Sequence, residues 1–470
     1  MMALLLTAAL AQPAADTDRI PAGAVEGRPR PEHTSPLQTR IDQAKPGDRI
    51  VVGAGTYRGD LLIDRAIVLQ GLGRPLLVGS GTGTVVRIRA AGVQFRGFAI
   101  DGLAGGDLGR DSSGIHVSAP NVHIDDCDVR NTLFGVYLRE AHDATVSNCR
   151  IQGIAGRPPG EIGSGIHVWN TNGFTLTDNI ITRSRDGIYI QSSHHGNVQR
   201  NRASDLRYGL HYMFSDDNSF EDNTFELGAA GTALMNSRRI TFRRNRFVRN
   251  RGFASVGLLL KSCDDVLAED NLVADNARGV FLESTNRSVF RRNVIAMSDE
   301  AIVLYDSSSR NRFEGNLFVA NFTPLTLVGR RTDTQFRGNF WSDQHAPDLD
   351  GDGFADRPYR LSNVFDHLRG NLIAANLFAR APAARALAAA ERAFPVLDPV
   401  PVLDHQPLAH APSLPQLASE PRPDSRSAAR VIVAALVLAA GMLVLTFGGR
   451  SPDPSRRMVS REPRMRPSQP

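Results

Sequence analysis

Asparagine recurs along the central part of this 470-residue sequence at a nearly constant interval. Eight asparagines are separated by 22, 22, 22, 26, 22, 23 and 23 residues: Asn179, Asn201, Asn223, Asn245, Asn271, Asn293, Asn316 and Asn339. Cys127 and Cys149, also 22 residues apart, extend the same column toward the N-terminus. A period of this length is typical of solenoid proteins, in which each repeat stacks on its neighbours.

Apolar residues alternate around each asparagine, three positions before it and two after it, as Phe220 and Phe225 do around Asn223. A further apolar stretch follows a repeated glycine column that includes Gly187, Gly209 and Gly231. Alternation with a period of two indicates strands. Coils of about 22 residues, made of short strands with Asn and Gly turns, predict an all-β fold. We expect a right-handed parallel β-helix over residues 58–345, with apolar columns and an asparagine ladder inside.

Other segments predict how the repeat begins and where it is interrupted. Leu37, Ile41 and Ala44 recur at helical spacing before Pro46, which predicts an N-terminal helical cap over residues 35–57. Such a cap would cover the open edge of the first coil. Inserts at 156–164 and 249–255 lengthen two coils. Inserts in a solenoid lie in loops, often on its binding face.

The two ends carry targeting patterns. Residues 1–11 are apolar and end in an Ala-x-Ala pattern, which predicts a signal peptide; the alternative is a disordered apolar N-terminus. Residues 361–395 have a helical pattern, and residues 396–430 are Pro-rich and predict an extended spacer. The uncharged stretch 431–449 predicts a C-terminal transmembrane helix, with the basic tail 450–470 in the cytoplasm. The body would then face the periplasm, tethered to the inner membrane.

Composition excludes other organisations. A net charge of +5, without basic runs interleaved with aromatic residues, argues against a nucleic-acid partner. The number of cysteines is three, an odd number, so a disulfide framework is not what organises the fold. Cys127 and Cys149 share one inward column, where stacked, inert thiols are our expectation and a disulfide is the alternative.

The stretch Gly209–Asn218 places unusual side chains on one rung of the repeat. If Leu210 and Tyr212 point inward, His211 and Met213 point outward. Two outward columns follow: His116, Tyr137, His167, Tyr189, His211 and Ala233; and Ser118, Arg139, Trp169, Gln191, Met213, Met235, Lys261, Glu283 and Tyr305. Large, soft and aromatic groups on an exposed strip predict a partner-binding surface of His167, Trp169, Tyr189, Gln191, His211, Met213 and Met235. The alternative is that β-propensity alone favours aromatic residues on a pleated surface.

Two groups of side chains are metal candidates. Reduced copper prefers sulfur and imidazole ligands, which makes His167, His211, Met213 and Met235 candidates for a transient copper site. Methionines that only pack in a protein interface are the alternative. In the Asp-rich turn 346–360, Asp348, Asp350, Asp352 and Asp356 match part of a calcium loop, but Tyr359 replaces the glutamate at the twelfth position. An Asp-Gly turn without metal is equally compatible.

Three long runs carry a family resemblance: "DGIYIQSSHHGNVQRNRASDLRYGLHYMFSDDNSFEDNTF", "ITFRRNRFVRNRGFASVGLLLKSCDD" and "GRRTDTQFRGNFWSDQHAPDLDGDGFADRPYR". Over about residues 35–395 the sequence closely resembles the NosD family of nitrous oxide reductase maturation proteins. The resemblance implies a periplasmic β-helix that works with the ATPase and membrane subunits of an ABC transporter. It also implies a role in assembling the copper sites of the reductase, with a copper chaperone among the candidate partners. The C-terminal membrane span departs from soluble members and leaves open whether the protein is free or tethered.

Carbohydrate-active β-helix enzymes, such as lyases, hydrolases and epimerases of acidic polysaccharides, are the alternative. The sequence has no Asp-Pro-His-Asp motif as in alginate epimerases and no Gly-His-Gly motif as in polygalacturonases. Tyr189 and His211, on adjacent coils, are the best candidates for a general acid–base pair. We expect an exported accessory factor that is not an enzyme and has no catalytic residues.

Overall fold

The computed structural model describes residues 35–252, 255–361 and 402–412, together with residues 372 and 386. In it the chain winds into a parallel β-solenoid of right-handed type, with three sheets of 15, 13 and 12 strands along its sides. Consecutive strands belong to sheets 1, 2 and 3 in turn, and each strand pairs with its equivalents in the preceding and following coils. The predicted all-β parallel β-helix is therefore confirmed for the described residues.

The strands are short, because each coil turns after a few residues. Sheet 1 contains, in spatial order, Arg49–Val52, Val68–Gly71, Gln94–Arg96, His123–Asp125, Thr145–Ser147, Thr175–Thr177, Asn197–Gln199, Ser219–Glu221, Thr241–Arg243, Leu267–Glu269, Val289–Arg291, Arg312–Glu314, Gln335–Arg337, Leu403–Asp404 and Tyr359–Arg360. Sheet 2 contains Thr56–Arg58, Leu76–Val78, Ala99–Asp101, Asp128–Arg130, Arg150–Gln152, Ile180–Thr182, Arg202–Ser204, Thr224–Glu226, Arg246–Val248, Leu272–Ala274, Val294–Ala296, Leu317–Val319 and Phe340–Trp341.

Sheet 3 has the longest strands and carries the predicted site. It contains Leu61–Ile63, Val86–Ile88, Ser113–Val117, Phe134–Arg139, Ile166–Trp169, Asp186–Gln191, Tyr208–Met213, Ala230–Arg238, Val256–Asp264, Arg278–Glu283, Glu300–Tyr305 and Thr323–Val328. The described helices are one α-helix, Pro36–Gln43, and two short 3-10 helices, Leu108–Arg110 and Pro159–Glu161.

The asparagine column forms the ladder that its spacing predicts. From Asn179 to Asn316, the side-chain amide of each asparagine donates a hydrogen bond of 2.9–3.1 Å to the side-chain oxygen of the next. All eight side chains are at most 2% exposed. The ladder satisfies polar groups that would otherwise be buried without partners at the turn between sheets 1 and 2.

The glycine column is required by the close stacking of the coils. A Cβ atom on Gly209 would lie 2.7 Å from the carbonyl oxygen of Gly231 and 2.8 Å from the Cβ of Phe225. Inside the coils, aromatic residues stack in columns; for example, the ring centroids of Phe220 and Phe242 are 4.9 Å apart. The apolar columns therefore form one continuous core along the solenoid.

The N-terminal helix packs on the first coils. Its Ser35 N-cap side chain accepts a hydrogen bond from the main-chain N–H of Gln38, and Leu37 and Ile41 are buried. The Gln38 side chain bonds both main-chain groups of Leu62, at 2.9 Å each. Strands already occur at Arg49–Val52 and Thr56–Arg58, so the β-helix begins before the predicted residue 58. That the helix acts as a cap stays a prediction.

The C-terminal end differs from the sequence prediction. Residues 402–409, which we expected to lie within an extended spacer over 396–430, return to the solenoid, and Leu403–Asp404 pairs with sheet 1. The buried Asp404 carboxylate accepts hydrogen bonds from the main-chain and side-chain nitrogens of Asn339, at 3.0 and 2.9 Å. Asp404 thus supplies the buried acceptor that Asn339, the last asparagine of the ladder, requires. The spacer prediction is wrong for these residues, because they return to the solenoid to provide this acceptor.

Several predicted segments lie outside the described residues. They are the signal peptide 1–11, nearly all of the helical segment 361–395, the transmembrane helix 431–449 and the tail 450–470. Within the part of the chain that the structure describes, no helix has the length and apolar character needed to span a membrane.

Candidate functional site

The two predicted outward columns lie on the outer face of sheet 3. Leu210 and Tyr212 are fully buried, whereas His211 and Met213 between them are partly exposed, as the alternation predicts. The strand pairings confirm both columns in register over the coils that carry the predicted site: His116, Tyr137, His167, Tyr189, His211 and Ala233; and Arg139, Trp169, Gln191, Met213, Met235 and Lys261.

In the first column, each ring contacts the ring in the next coil. The centroid distances are 5.1 Å from His116 to Tyr137, 4.4 Å from Tyr137 to His167, 4.4 Å from His167 to Tyr189, and 4.7 Å from Tyr189 to His211. Because the ring of Tyr189 lies between His167 and His211, the structure does not bring these two imidazoles together. One metal ion would contact His167 or His211, not both.

The strip is more buried than the sequence suggests. His116 and Tyr137 are only 5% and 7% exposed, because Tyr137 belongs to an apolar cluster with Ile154 and Ile162 from the loop that contains the 156–164 insert. The expectation of an exposed strip is therefore wrong for these coils. The accessible part of the strip begins at the coil of His167 and Trp169, both partly exposed.

A second apolar cluster follows the strip on the same face. It contains Ala233, Val256, Leu259, Phe281 and Val303, each at most 6% exposed. His211 and Met213 thus lie between two apolar clusters on this face.

Asp186 is a buried acid that the sequence analysis missed. Its carboxylate, which is 0% exposed, accepts two hydrogen bonds from the Arg207 guanidinium, at 2.8 and 2.6 Å. Its Oδ2 atom also lies 3.1 Å from Nδ1 of His211. Asp186 precedes the glycine of its coil and belongs to neither outward column, so the column argument could not find it. The sequence did contain one signal for this pair: Asp186 and Arg207 are 21 residues apart, which is nearly the length of one coil.

Burial and hydrogen bonds set the protonation states of Asp186, His116 and His167. Burial raises the pKa of the Asp186 carboxyl, but hydrogen bonds from His211 and Arg207 outweigh it and hold that pKa below its ordinary value. Asp186 is therefore a carboxylate at neutral pH. Burial lowers the pKa of both His116 and His167 to about 3, which makes them neutral imidazoles. Nδ1 of His167 is buried and has no hydrogen-bond partner.

The second column brings the sulfur candidates together. Met213 and Met235 are direct register partners on adjacent coils, and both are partly exposed. The Tyr189 hydroxyl lies 2.5 Å from Oε1 of Gln191 and 3.9 Å from the sulfur of Met213. Because the closer contact takes the hydroxyl proton, the Met213 sulfur keeps its lone pairs. His211, Met213 and Met235 are thus neighbouring soft donors at one place on the face.

Trp169 lies one coil before Gln191 in this column. The guanidinium of Arg139 lies 4.9 Å from the centre of its ring, within the range of a cation–π contact. This contact orients a large aromatic side chain at the edge of the accessible part of the strip.

In the Asp-rich turn, carboxylates lie close together and accept hydrogen bonds from the main chain. Carboxylate oxygens of Asp348, Asp350 and Asp352 lie within 4.8 Å of one another, and Asp356 is not part of this group. Asp348 accepts hydrogen bonds from the main-chain N–H groups of Gly351 and Gly353, at 2.7 and 3.0 Å. The carboxylates therefore stabilise the turn whether or not calcium binds, and the calcium site stays a prediction.

The three cysteines are free thiols, and all are buried. Burial raises the pKa of Cys127 and raises that of Cys263 to about 12. Thiols with raised pKa values are poor nucleophiles and poor metal ligands. None of them belongs to the outward strip.

A family model and two named proteins match this chain in sequence. Residues 154–346 match the family model described as "Periplasmic copper-binding protein (NosD)". A protein of Stutzerimonas stutzeri named "Probable ABC transporter binding protein NosD" is 29% identical over 423 residues, covering 86% of this chain and 95% of its own. A protein of Pseudomonas aeruginosa with the same name is 30% identical over 418 residues, covering 84% of this chain and 94% of its own.

Two similar solved structures are enzyme modules with a β-helix fold. The A-modules of the mannuronan C-5 epimerases AlgE4 and AlgE6 of Azotobacter vinelandii have TM-scores of 0.53 and 0.56. Each is 16% identical in sequence; the alignments cover 62% and 64% of this chain, and 91% and 94% of the modules. At this identity the likeness extends to the β-helix alone.

Proposed function

This chain belongs to the NosD family of periplasmic proteins, and we propose that it is an accessory factor in the assembly of the copper sites of nitrous oxide reductase. In this proposal it acts with the ATPase and membrane subunits of an ABC transporter and is not itself an enzyme. Its relatives' names supply the transporter partner. A copper chaperone would deliver the metal, and the reductase would receive it.

The observation that carries the copper part of the proposal is the grouping of His211, Met213 and Met235. Thioether and imidazole groups are good ligands for reduced copper. Because these ligands are soft, they bind reduced copper in preference to harder cations. The three side chains are partly exposed, so an ion could reach them from a partner without unfolding the coil. Three weak donors at a surface favour transient binding, which a hand-over step requires.

The partner surface is proposed to extend from this group over the two coils before it. His167, Trp169, Tyr189 and Gln191 present large side chains next to the soft donors. Aromatic and methionine side chains are enriched in protein interfaces, and a few such anchors carry most of the binding energy. The proposed order is docking by the aromatic residues and transfer at the adjacent methionines.

A carbohydrate-active enzyme is the alternative. The epimerase likeness carries only the fold, and the candidate pair Tyr189 and His211 meets through ring contact 4.7 Å apart, with the imidazole already bound to Asp186. Affinity purification of the full-length protein from membranes tests the choice. Recovery of the transporter subunits or the reductase supports the proposal. Recovery of neither, together with depolymerisation or epimerisation of alginate or polygalacturonate, would establish the enzyme instead.

Removing the two sulfur atoms should leave the reductase short of copper. We expect a Met213→Leu/Met235→Leu variant to fold normally, because leucine keeps the apolar volume and neither residue belongs to the buried core. The measurement is the copper content of reductase purified from cells that carry this variant in place of the wild-type gene. Full copper loading at normal protein levels would contradict direct transfer.

Two further variants separate sulfur chemistry from packing. Met213→Ala/Met235→Ala removes both sulfur and volume, and it should be at least as deficient as the leucine variant. Lys261→Ala/Glu283→Ala changes the next two coils of the same column, where the two charges form a 3.0 Å ion pair, and it should leave copper loading intact. Equal deficiency in that control would mean that the column acts as a docking surface only.

The predicted tether has its own test. If residues 431–449 cross the membrane with residues 450–470 in the cytoplasm, a reporter active only in the periplasm should give no signal when fused after Pro470. The same reporter inserted between Ser419 and Pro421 should give a strong signal. Similar signals at the two positions would refute this topology.

A further inference from the structure

The geometry points to Asp186 as a positioning residue: we infer that it fixes His211 as the Nδ1–H tautomer, so that Nε2 is the atom that meets reduced copper. This inference rests on the proposed function, because it concerns the same group of donors. It adds a buried residue to a site whose sequence pattern contained only outward side chains. Its starting point is the 3.1 Å contact between Asp186 Oδ2 and His211 Nδ1.

Two charged neighbours determine the tautomer of His211. His211 Nδ1 has two neighbours: the Asp186 carboxylate at 3.1 Å and Nη2 of Arg207 at 3.4 Å. A carboxylate only accepts hydrogen bonds and a guanidinium only donates them, so the two neighbours favour opposite tautomers. Nη2 of Arg207 already donates to Asp186 at 2.6 Å, whereas an unprotonated Nδ1 would direct a lone pair at a buried negative charge. The Nδ1–H form is therefore favoured.

Two tyrosine rings fix the orientation of the His211 imidazole. Tyr189 and Tyr208 contact the imidazole of His211 nearly edge-on, with interplanar angles of 83° and 77° and centroid distances of 4.7 and 5.2 Å. Together with the hydrogen bond to Asp186, these contacts hold the ring on three sides. Arg207 in turn lies 4.3 Å from the centre of the Tyr208 ring, which ties the carboxylate, the guanidinium and the ring together. A ring held in this way has one nitrogen left for a ligand.

The hydrogen bond between Asp186 and His211 matters for metal binding. A histidine that binds a metal through one nitrogen commonly donates its other ring N–H to a carboxylate, which sets its orientation and raises its basicity. Loss of such an outer partner lowers metal affinity about 10–100-fold. His167 lacks this arrangement, because its Nδ1 atom is buried without a partner. The structure thus distinguishes His211 from His167 as the copper-binding histidine of the strip.

Two measurements on the full-length protein test the inference. The first, made without copper, is ¹⁵N NMR of histidine-labelled protein, with the His211 signals identified by their loss in His211→Gln. We expect Nδ1 protonated and Nε2 unprotonated in the wild type, and a mixture of tautomers in Asp186→Asn, whose amide oxygen and amide nitrogen can face Nδ1 either way. Nε2 protonated and Nδ1 unprotonated in the wild type would overturn the inference.

The second measurement is the affinity for Cu(I), determined by competition with a chromogenic Cu(I) chelator under anaerobic conditions. Asp186→Asn should bind Cu(I) about 10–100-fold more weakly than the wild type. The matched control is Glu300→Gln, since Glu300 is paired with Arg278 at the start of a sheet 3 strand, as Asp186 is with Arg207, but has no adjacent histidine. The control should bind Cu(I) as the wild type does. Circular dichroism spectra verify that both variants are folded.

The outcomes distinguish this inference from the proposed function. If the wild type binds Cu(I) no better than Met213→Leu/Met235→Leu or His211→Gln, direct copper binding fails, and the inference fails with it. If those variants lose affinity but Asp186→Asn keeps both the wild-type affinity and the wild-type tautomer, only the positioning role of Asp186 is overturned. Loss of affinity in a folded Asp186→Asn, with Glu300→Gln unchanged, supports it.

Discussion

Replacement of Asn245 by leucine should lower the free energy of unfolding by about 2–6 kcal/mol, because it breaks the asparagine ladder in the middle of the solenoid. The main-chain and side-chain nitrogens of Asn223 both donate to Oδ1 of Asn245, at 3.0 and 2.9 Å. Leucine has a similar volume but no acceptor, so two buried donors lose this bond. Each such loss costs about 1–3 kcal/mol. Denaturant-induced unfolding of the purified protein measures the change.

Asn197→Thr is the control for this prediction. Asn197 is partly exposed on sheet 1 and lies outside the ladder, between Thr175 and Ser219 in the strand register. Because a threonine already occupies the adjacent position in the register, we expect a change within about 0.5 kcal/mol. If Asn245→Leu is as mild as this control, the ladder contributes little and the apolar columns alone hold the coils together.

The fold could be predicted from sequence because its determinants recur in every coil. The ladder asparagines, the residues that flank them and the glycines at which coils approach most closely all repeat with the same period. Gly209, Asn223 and Phe225 therefore report the same geometry as their counterparts one coil away. A solenoid needs contacts only between neighbouring repeats, so local patterns are sufficient to specify it.

The candidate site was only partly predictable, because it depends on contacts that do not repeat. Alternation placed His211 and Met213 outside and Tyr212 inside, as the structure has them. The packing of Ile162 in one cluster with Tyr137 depends on how one insert folds over the face. The repeat period of the sequence contains no information about such a contact. Asp186 was missed for a related reason: its partner His211 lies in a different column of the next coil.

The end of the solenoid was also beyond sequence reasoning. Asp404 lies 65 residues after Asn339, outside the repeat and within a Pro-rich segment whose composition predicts a spacer. An open last coil nevertheless has an unfilled acceptor position, since each asparagine needs an oxygen from the coil that follows. The chain fills that position with a carboxylate from a returning strand, which a period cannot reveal.

Replacement of Asp404 by leucine should therefore destabilise the last coil by about 3 kcal/mol or more. Oδ2 of Asp404 accepts hydrogen bonds from both nitrogens of Asn339 and, at 3.2 Å, from the indole N–H of Trp341, and all three donors would lose this acceptor. Because repeats contact only their neighbours, the effect should begin locally. Hydrogen exchange should accelerate first at Asn339 and Trp341, ahead of the central coils.

Asp404→Asn distinguishes loss of the acceptor from loss of the strand. An asparagine can present its side-chain oxygen to Asn339. In each preceding rung of the ladder, from Asn179 to Asn316, the acceptor is likewise the side-chain oxygen of an asparagine. It should recover most of the stability lost in Asp404→Leu, although hydrogen bonds to a carboxylate are about twice as strong as those to a neutral oxygen. Equal destabilisation by both substitutions would mean that the charge itself is required. Wild-type exchange rates in Asp404→Leu would mean that the ladder ends at Asn339 without its help.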